Sequence, residues 1–143
     1  MSVQNNITYS KATEYLLDIP KFTKNKDNTN LRRILEHMGN PDKDIKVIHV
    51  AGTNGKGSTC SFMNNILLAA GKTVGMFTSP HLVKINERIK INGRDISDEK
   101  FLEAFLGVKE VVDNVIKEGG EHPTFFEYIF LVGIILAISL VGF

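Results

Sequence analysis

The segment Val47 to Ala70, VIHVAGTNGKGSTCSFMNNILLAA, gathers the residue types that bind a polyphosphate. Gly52, Gly55 and Gly57 let the backbone turn sharply and point several N–H groups into one concavity, where an anion sits at the positive end of the next helix. Thr53 and Asn54 complete the turn, and Lys56 adds a mobile cation beside it. Ser58 and Thr59 can cap the following helix, leaving one hydroxyl free to reach a phosphate-bound Mg²⁺. The implied chemistry is the binding of nucleotide phosphates.

The spacing departs from the P-loop pattern GxxxxGK[ST]. Residue 50 is Val where the first Gly belongs, and Gly57 separates Lys56 from Ser58. A second Gly-Lys-Thr at Gly71 to Thr73 follows the helix instead of preceding it, so Gly71 reads as a helix stop. Three glycines alone fit an ordinary turn with a surface lysine as well as they fit a phosphate loop. The flanking elements tip the balance toward phosphate.

Those elements must hold the loop in place. Val47, Ile48 and Val50 favour a buried strand, and the helix after the loop carries Phe62, Ile66, Leu67 and Ala70 on one face. Thr73 to Thr78 reads as a second strand. Strand, helix and strand predict a parallel βαβ unit with ligand at the carboxyl ends of the strands. Upstream, residues 8 to 19 show helical spacing ended by Pro20; a polar loop over 21 to 30 precedes a helix from Leu31 to Met38, stopped by Gly39. Asn40-Pro41-Asp42 makes the turn toward the strand.

Residues 79 to 96 mix Val83, Ile85, Ile89 and Ile91 with basic side chains, and Asn92-Gly93 marks a tight turn, which suits an excursion from the core. Ser97 with Asp98 and Glu99 opens a long helix whose apolar residues recur from Phe101 to Ile116, and Gly119-Gly120 ends it. From Tyr128 to Phe143 the chain has no charge, a run short for a membrane span and without a basic flank. It reads as a buried helix, and the sequence looks as if it stops before its domain does.

The 143 residues give room for one domain, with ordinary globular composition at 43% hydrophobic and 23% charged. A net charge of +1, with no long basic run, supplies no field for nucleic acid or an anionic membrane, so neither is an expected partner. The single cysteine, Cys60, and a polar N-terminus without a secretory signal point to a cytoplasmic location.

Three blocks carry a resemblance: VIHVAGTNGKGS, FTSPHLVKINERIKING at Phe77 to Gly93, and HPTFFEY at His122 to Tyr128. Together, over roughly residues 8 to 134, they resemble the folylpolyglutamate synthase and dihydrofolate synthase family of the Mur ligase-like group. The resemblance implies an α/β fold, a P-loop NTPase-like parallel sheet flanked by helices, here incomplete. Residues 1 to 143 would be the N-terminal part of the ATP-binding domain, and the C-terminal glutamate-site domain would be absent. The implied reaction uses ATP and Mg²⁺. ATP phosphorylates the terminal carboxylate of a folate or dihydropteroate, and the amine of L-glutamate attacks the acyl phosphate. A full-length member of this kind is expected to be a monomer.

By the same resemblance, Gly52 to Thr59 form the ATP site, with Gly55, Lys56, Gly57 and Ser58 on the phosphates and Lys56 the candidate catalytic residue. Ser79 and Ser58 become candidate Mg²⁺ ligands. Pro80, His81, Arg88, Thr124, Phe125, Phe126 and Glu127 become candidate substrate contacts, an aromatic face packing on the pterin ring. Each also has a plainer reading: Ser79-Pro80 as a turn, His81 as a surface histidine, Arg88 as a solvated charge, and Phe125-Phe126 as core. Asn30-Leu31-Arg32 stands where the family has Gly-Leu-Glu. The family's later metal ligands and carbamylated lysine have no counterpart, and the pattern drifts near Ile135; a frameshift or premature stop would produce both. The resulting expectation is a ligase segment inactive by itself. Its rivals are a general P-loop phosphotransferase and a non-catalytic nucleotide- or pterin-binding module.

Overall fold

The computed structural model describes residues 6–21 and 27–141. Residues 22–26 of the expected loop, the first five residues and the last two of the uncharged run lie outside them. The described elements are α1 (Tyr9–Asp18), α2 (Thr29–His37), α3 (Lys56–Ala69), β1 (Gly75–Phe77), β2 (Ile89–Ile91), β3 (Arg94–Asp95), α4 (Asp98–Lys117) and α5 (Phe125–Val141). Short 3-10 turns cover Pro41–Lys43 and Ile85–Arg88.

The spine of the molecule is α4. Ser97 caps it, its hydroxyl accepting from Lys100 N at 3.2 Å, and Asp98 and Glu99 meet the positive end of the helix. Its apolar stripe, Phe101, Ala104, Phe105, Val108, Val112 and Val115, is buried. Against it lie α1, through Ala12 and Leu16, and α2, through Ile34 and Leu35. The uncharged C-terminal run forms α5, as its composition predicts. This helix is apolar around most of its girth because it lies against both α4 and β1.

An aromatic cluster ties α1, α4 and α5 together. The Tyr128 ring stacks on Phe105 with centroids 5.3 Å apart, and Tyr15 meets both rings edge-on. The Tyr128 hydroxyl donates to Phe105 O at 3.3 Å, and burial pushes its phenol well above the usual range.

Gly119-Gly120 stops α4 where expected. Gly119 has φ +84°, Gly119 N donates to Ile116 O at 3.0 Å and Gly120 N to Val115 O at 2.8 Å, a Schellman closure. A Cβ on Gly120 would lie 2.4 Å from Val115 Cγ1 and 2.9 Å from Val115 O. The methyl can rotate aside; the carbonyl cannot without opening the closure. Gly120→Ala is therefore expected to cost about 1–3 kcal/mol, read as a lower urea midpoint. An unchanged midpoint would show that the turn has slack that this geometry lacks.

The sheet corrects an expectation. It has three strands in the order β1-β2-β3, and both pairings are antiparallel, with Met76 opposite Lys90 and Lys90 opposite Asp95. Asn92 and Gly93, at φ 48° and 80°, close the β2-β3 hairpin as the Asn-Gly pair predicts. The second expected strand survives as β1. The first does not form: residues 46 to 51 belong to no helix or strand, with Val47 68% and Ile48 59% exposed. A strand needs a neighbour for its N–H and C=O groups. The free edge of β1 carries no strand among the described residues, so the parallel βαβ pairing is absent there.

The same gap changes α3. Phe62 and Ile66, expected to be buried, are 69% and 67% exposed; Ala70 is exposed too and Leu67 half-buried. The packed stripe instead runs through Asn64, Leu67 and Leu68, and the Asn92-Gly93 turn lies against Asn64 and Leu68. Gly71 ends α3 at φ +73°, as the reading of Gly71 to Thr73 anticipated. No described helix is long and apolar enough to cross a membrane.

Candidate functional site

The expected residues fall into two groups, and no hydrogen bond or ion pair among the described residues joins them. The first is the loop 52 to 59, all of it exposed. Gly52 and Gly55 take φ 155° and 75°, which a side chain would resist. Gly55, not Ser58 or Thr59, is the N-cap of α3, so the helix starts before the two hydroxyl residues. Thr59 turns its hydroxyl back to donate to Gly55 O at 2.9 Å, and Ser58 stays exposed on the first turn. No side chain caps this helix and no acid sits in its first turn. Its leading N–H groups therefore keep their capacity to bind an anion. Lys56 Nζ donates to Gly52 O at 2.6 Å, folding the ammonium over its own loop. A phosphate oxygen would offer it a charged acceptor in place of a neutral one.

The second group gathers the loop after β1, the 3-10 turn before β2 and the start of α5. Arg88, which could have been a solvated charge, is only 8% exposed. Its Nε donates to His81 Nδ1 at 2.7 Å, and its guanidinium lies 5.4 Å from the Phe125 ring centre. Burial and the adjacent Arg88 cation hold His81 below its usual range, so this histidine is a half-buried partner and not a free surface group. Phe125 packs on the core, whereas Phe126 is 48% exposed and meets Phe77 edge-on at 5.5 Å. Thr124 and Glu127 form a capping box on α5: Thr124 N donates to Glu127 Oε2 at 2.7 Å, and Glu127 N to Thr124 Oγ1 at 3.3 Å. These two side chains thus have a structural duty that places the aromatic pair. Ser79 and Pro80 are exposed at the head of the loop.

Sequence reasoning missed Glu87. Its carboxylate accepts from Leu82 N, Val83 N and Lys84 N at 2.9, 2.9 and 2.7 Å, fastening the loop that carries His81. Those three bonds pull its pKa down to about 2. Because the folded value is depressed, the anchor is complete above the ordinary carboxylate value of 4.5 and is lost as pH falls through about 2. The amide resonances of Leu82, Val83 and Lys84 are expected to shift together with a midpoint near 2. A midpoint near 4.5 would mean that the carboxylate is not their acceptor. The available signal was an acid three to five residues after exposed backbone donors, which is too common to single out.

A second feature outside the sequence reading is a cleft of about 270 Å³ between the start of α2 and the α4–α5 connection, lined by Asn30, Arg33, Glu121, His122 and Glu127 among others. Asn30 braces it, exchanging two hydrogen bonds with the Glu121 backbone, and Tyr15 OH lies 2.6 Å from His122 Nε2.

The chain matches no protein-family model. It is 39% identical over 119 residues to a dihydrofolate synthase/folylpolyglutamate synthase of Bacillus subtilis (strain 168), covering 83% of this chain and 28% of that protein. A solved FPGS–AMPPCP–folate complex superposes with a TM-score of 0.83 at 32% identity, over 89% of this chain and 31% of that one. The chain belongs to the folylpolyglutamate synthase/dihydrofolate synthase family. The family's structure from Thermotoga maritima agrees, with a TM-score of 0.83, 30% identity, and 92% and 30% of the two chains covered. This chain spans about three tenths of the length of these relatives. The family likeness extends across the helix-rich body described above, whose small sheet is antiparallel.

Proposed function

We propose that this chain is the nucleotide-binding, substrate-gripping part of an ATP-dependent ligase that joins L-glutamate to a folate or dihydropteroate through an acyl phosphate. The observation that carries this reading is the loop 52 to 56, where two glycines at positive φ deliver an uncapped helix N-terminus beside a lysine. A polyphosphate meets its requirements: fixed backbone donors, a helix dipole and a cation free to turn from Gly52 O to a phosphate oxygen. In this reading Gly52 to Thr59 hold ATP, and Lys56 neutralises charge on the transferring phosphoryl group. The AMPPCP and folate of the solved relative support both ligand classes.

Among the described residues no group of three His, Cys, Asp or Glu side chains could hold a metal ion. The hydroxyls of Ser58 and Ser79 are donors suited to Mg²⁺, which shares its shell with phosphate oxygens and water. They fit the ion as part of a shell that nucleotide and solvent fill. Bound there, Mg²⁺ would neutralise charge on the phosphates. Arg88, Phe125 and Phe126, with Pro80 and His81 on the loop opposite, form the substrate side. Cys60 is a free thiol, which suits the reducing cytoplasm, and we assign the parent a monomeric state.

This chain covers about three tenths of the length of its relatives. Residues 1 to 143 then form the N-terminal part of an ATP-binding domain, and ligation needs groups that these residues do not contain. Calorimetric titration of the 143-residue chain with MgATP and with folate tests the reading. Saturable heats for both ligands support it, and no heat with MgATP overturns it. Glutamate ligation by the chain alone would overturn only the statement that ligation needs groups beyond these residues.

A further inference from the structure

Arg88 is a buried cation without a counter-ion. It is 8% exposed, and no described carboxylate lies within ion-pair distance of it. A charge so withdrawn from water is retained only where something offsets its desolvation. Two neutral contacts hold it, His81 Nδ1 on Nε and the Phe125 face. Neither uses the terminal amino nitrogens, which are not among the sealed polar atoms lacking a partner. A guanidinium pinned at Nε and along its face, with both terminal nitrogens open, is a fork shaped for a planar carboxylate.

The pin needs an acceptor at His81 Nδ1. Arg88 Nε can only donate, so His81 Nδ1 must present its lone pair, and the ring carries its proton on Nε2. An imidazolium would set N–H against N–H. The ring is held in place in turn by the loop that Glu87 fastens through the N–H groups of residues 82 to 84. Glu87, loop, His81 and Arg88 thus form one chain of supports that ends at the open fork.

We propose that His81 is a positioning residue: its Nδ1 acceptor sets the Arg88 guanidinium so that the fork receives a carboxylate of the substrate. This rests on the folate reading above and assigns His81 a role other than touching the ligand. Arg88 is the group that makes the contact.

Two substitutions separate this role from packing. His81→Asn keeps an acceptor where Nδ1 sits but removes the ring, whereas His81→Phe keeps a ring but removes the acceptor. In the ligand-free chain, the Arg88 Nε–H proton is expected to exchange slowly and resonate downfield in wild type and His81→Asn, and to lose both properties in His81→Phe. Folate affinity should stay within about twofold in His81→Asn and fall about tenfold in His81→Phe, with MgATP affinity unchanged in both. An Nε–H signal indifferent to both substitutions overturns the positioning role, as does equal loss of folate binding in the two variants. A fall in MgATP affinity instead would make the bound anion a phosphate and overturn the carboxylate assignment. Absence of folate binding in wild type, with the Nε–H signal following the acceptor, would fell the ligand reading while leaving the positioning of Arg88 intact.

Discussion

Replacement of Lys56 by alanine is expected to remove half or more of the stabilisation that MgATP confers on this chain. A ligand present at about 100 times its dissociation constant adds about 2.7 kcal/mol to folding stability. For a domain of this size that raises the melting temperature by roughly 5–10 °C. The ammonium's resting partner is the neutral carbonyl of Gly52, at 2.6 Å, so its move to a phosphate exchanges a neutral acceptor for a charged one. Losing a hydrogen bond of that kind weakens binding by about 10- to 100-fold. At the same nucleotide concentration the shift should shrink to about 1–5 °C by the same linkage. Lys56 is exposed and touches no core residue, so the melting temperature without nucleotide should not move. A full shift retained in the alanine variant would place the phosphates elsewhere.

Tyr128→Ala is expected to have the largest effect on stability, about 3–5 kcal/mol by comparison with other buried aromatics. Tyr128 is wholly buried where α1, α4 and α5 meet, stacked on Phe105 and His122 and edge-on to Tyr15. Removing it would open a cavity at the junction of three helices that cannot collapse together without breaking their other contacts. Against a total stability of about 5–15 kcal/mol for a domain, that loss unfolds a large fraction of molecules at physiological temperature. Tyr128→Phe is the control. The hydroxyl's bond to Phe105 O is long at 3.3 Å, so its removal should cost about 1 kcal/mol or less. Urea denaturation measures both. If the alanine variant loses no more than the phenylalanine one, the cluster is not what joins these helices. The effect should also reach function, because α5 carries the Thr124–Glu127 capping box that places Phe125 under Arg88.

What the sequence determined by itself is local. Ser97 before Asp98-Glu99, Gly119-Gly120, Gly71 and Asn92-Gly93 mark boundaries that recur in the structure, because capping and turn chemistry act over a few residues. The turn glycines Gly52 and Gly55 were legible for the same reason, since positive φ is a property of the local chain, whereas the uncapped helix start was not, because Ser58 and Thr59 read as its caps. The long helix with its buried stripe was legible from its period.

Tertiary structure alone decided three other matters. The direction of strand pairing depends on which strand lies alongside, so residues 47 to 50 have β propensity yet stay unpaired where no neighbour adjoins the free edge of β1. The buried face of α3 follows its partners, which is why Asn64 is covered while Phe62 and Ile66 face solvent. The state of Arg88 depends on residues 7 and 37 positions away, His81 and Phe125, that only folding brings together. Burial, pairing and charge environment are sums over such distant neighbours, and no window along the chain contains them.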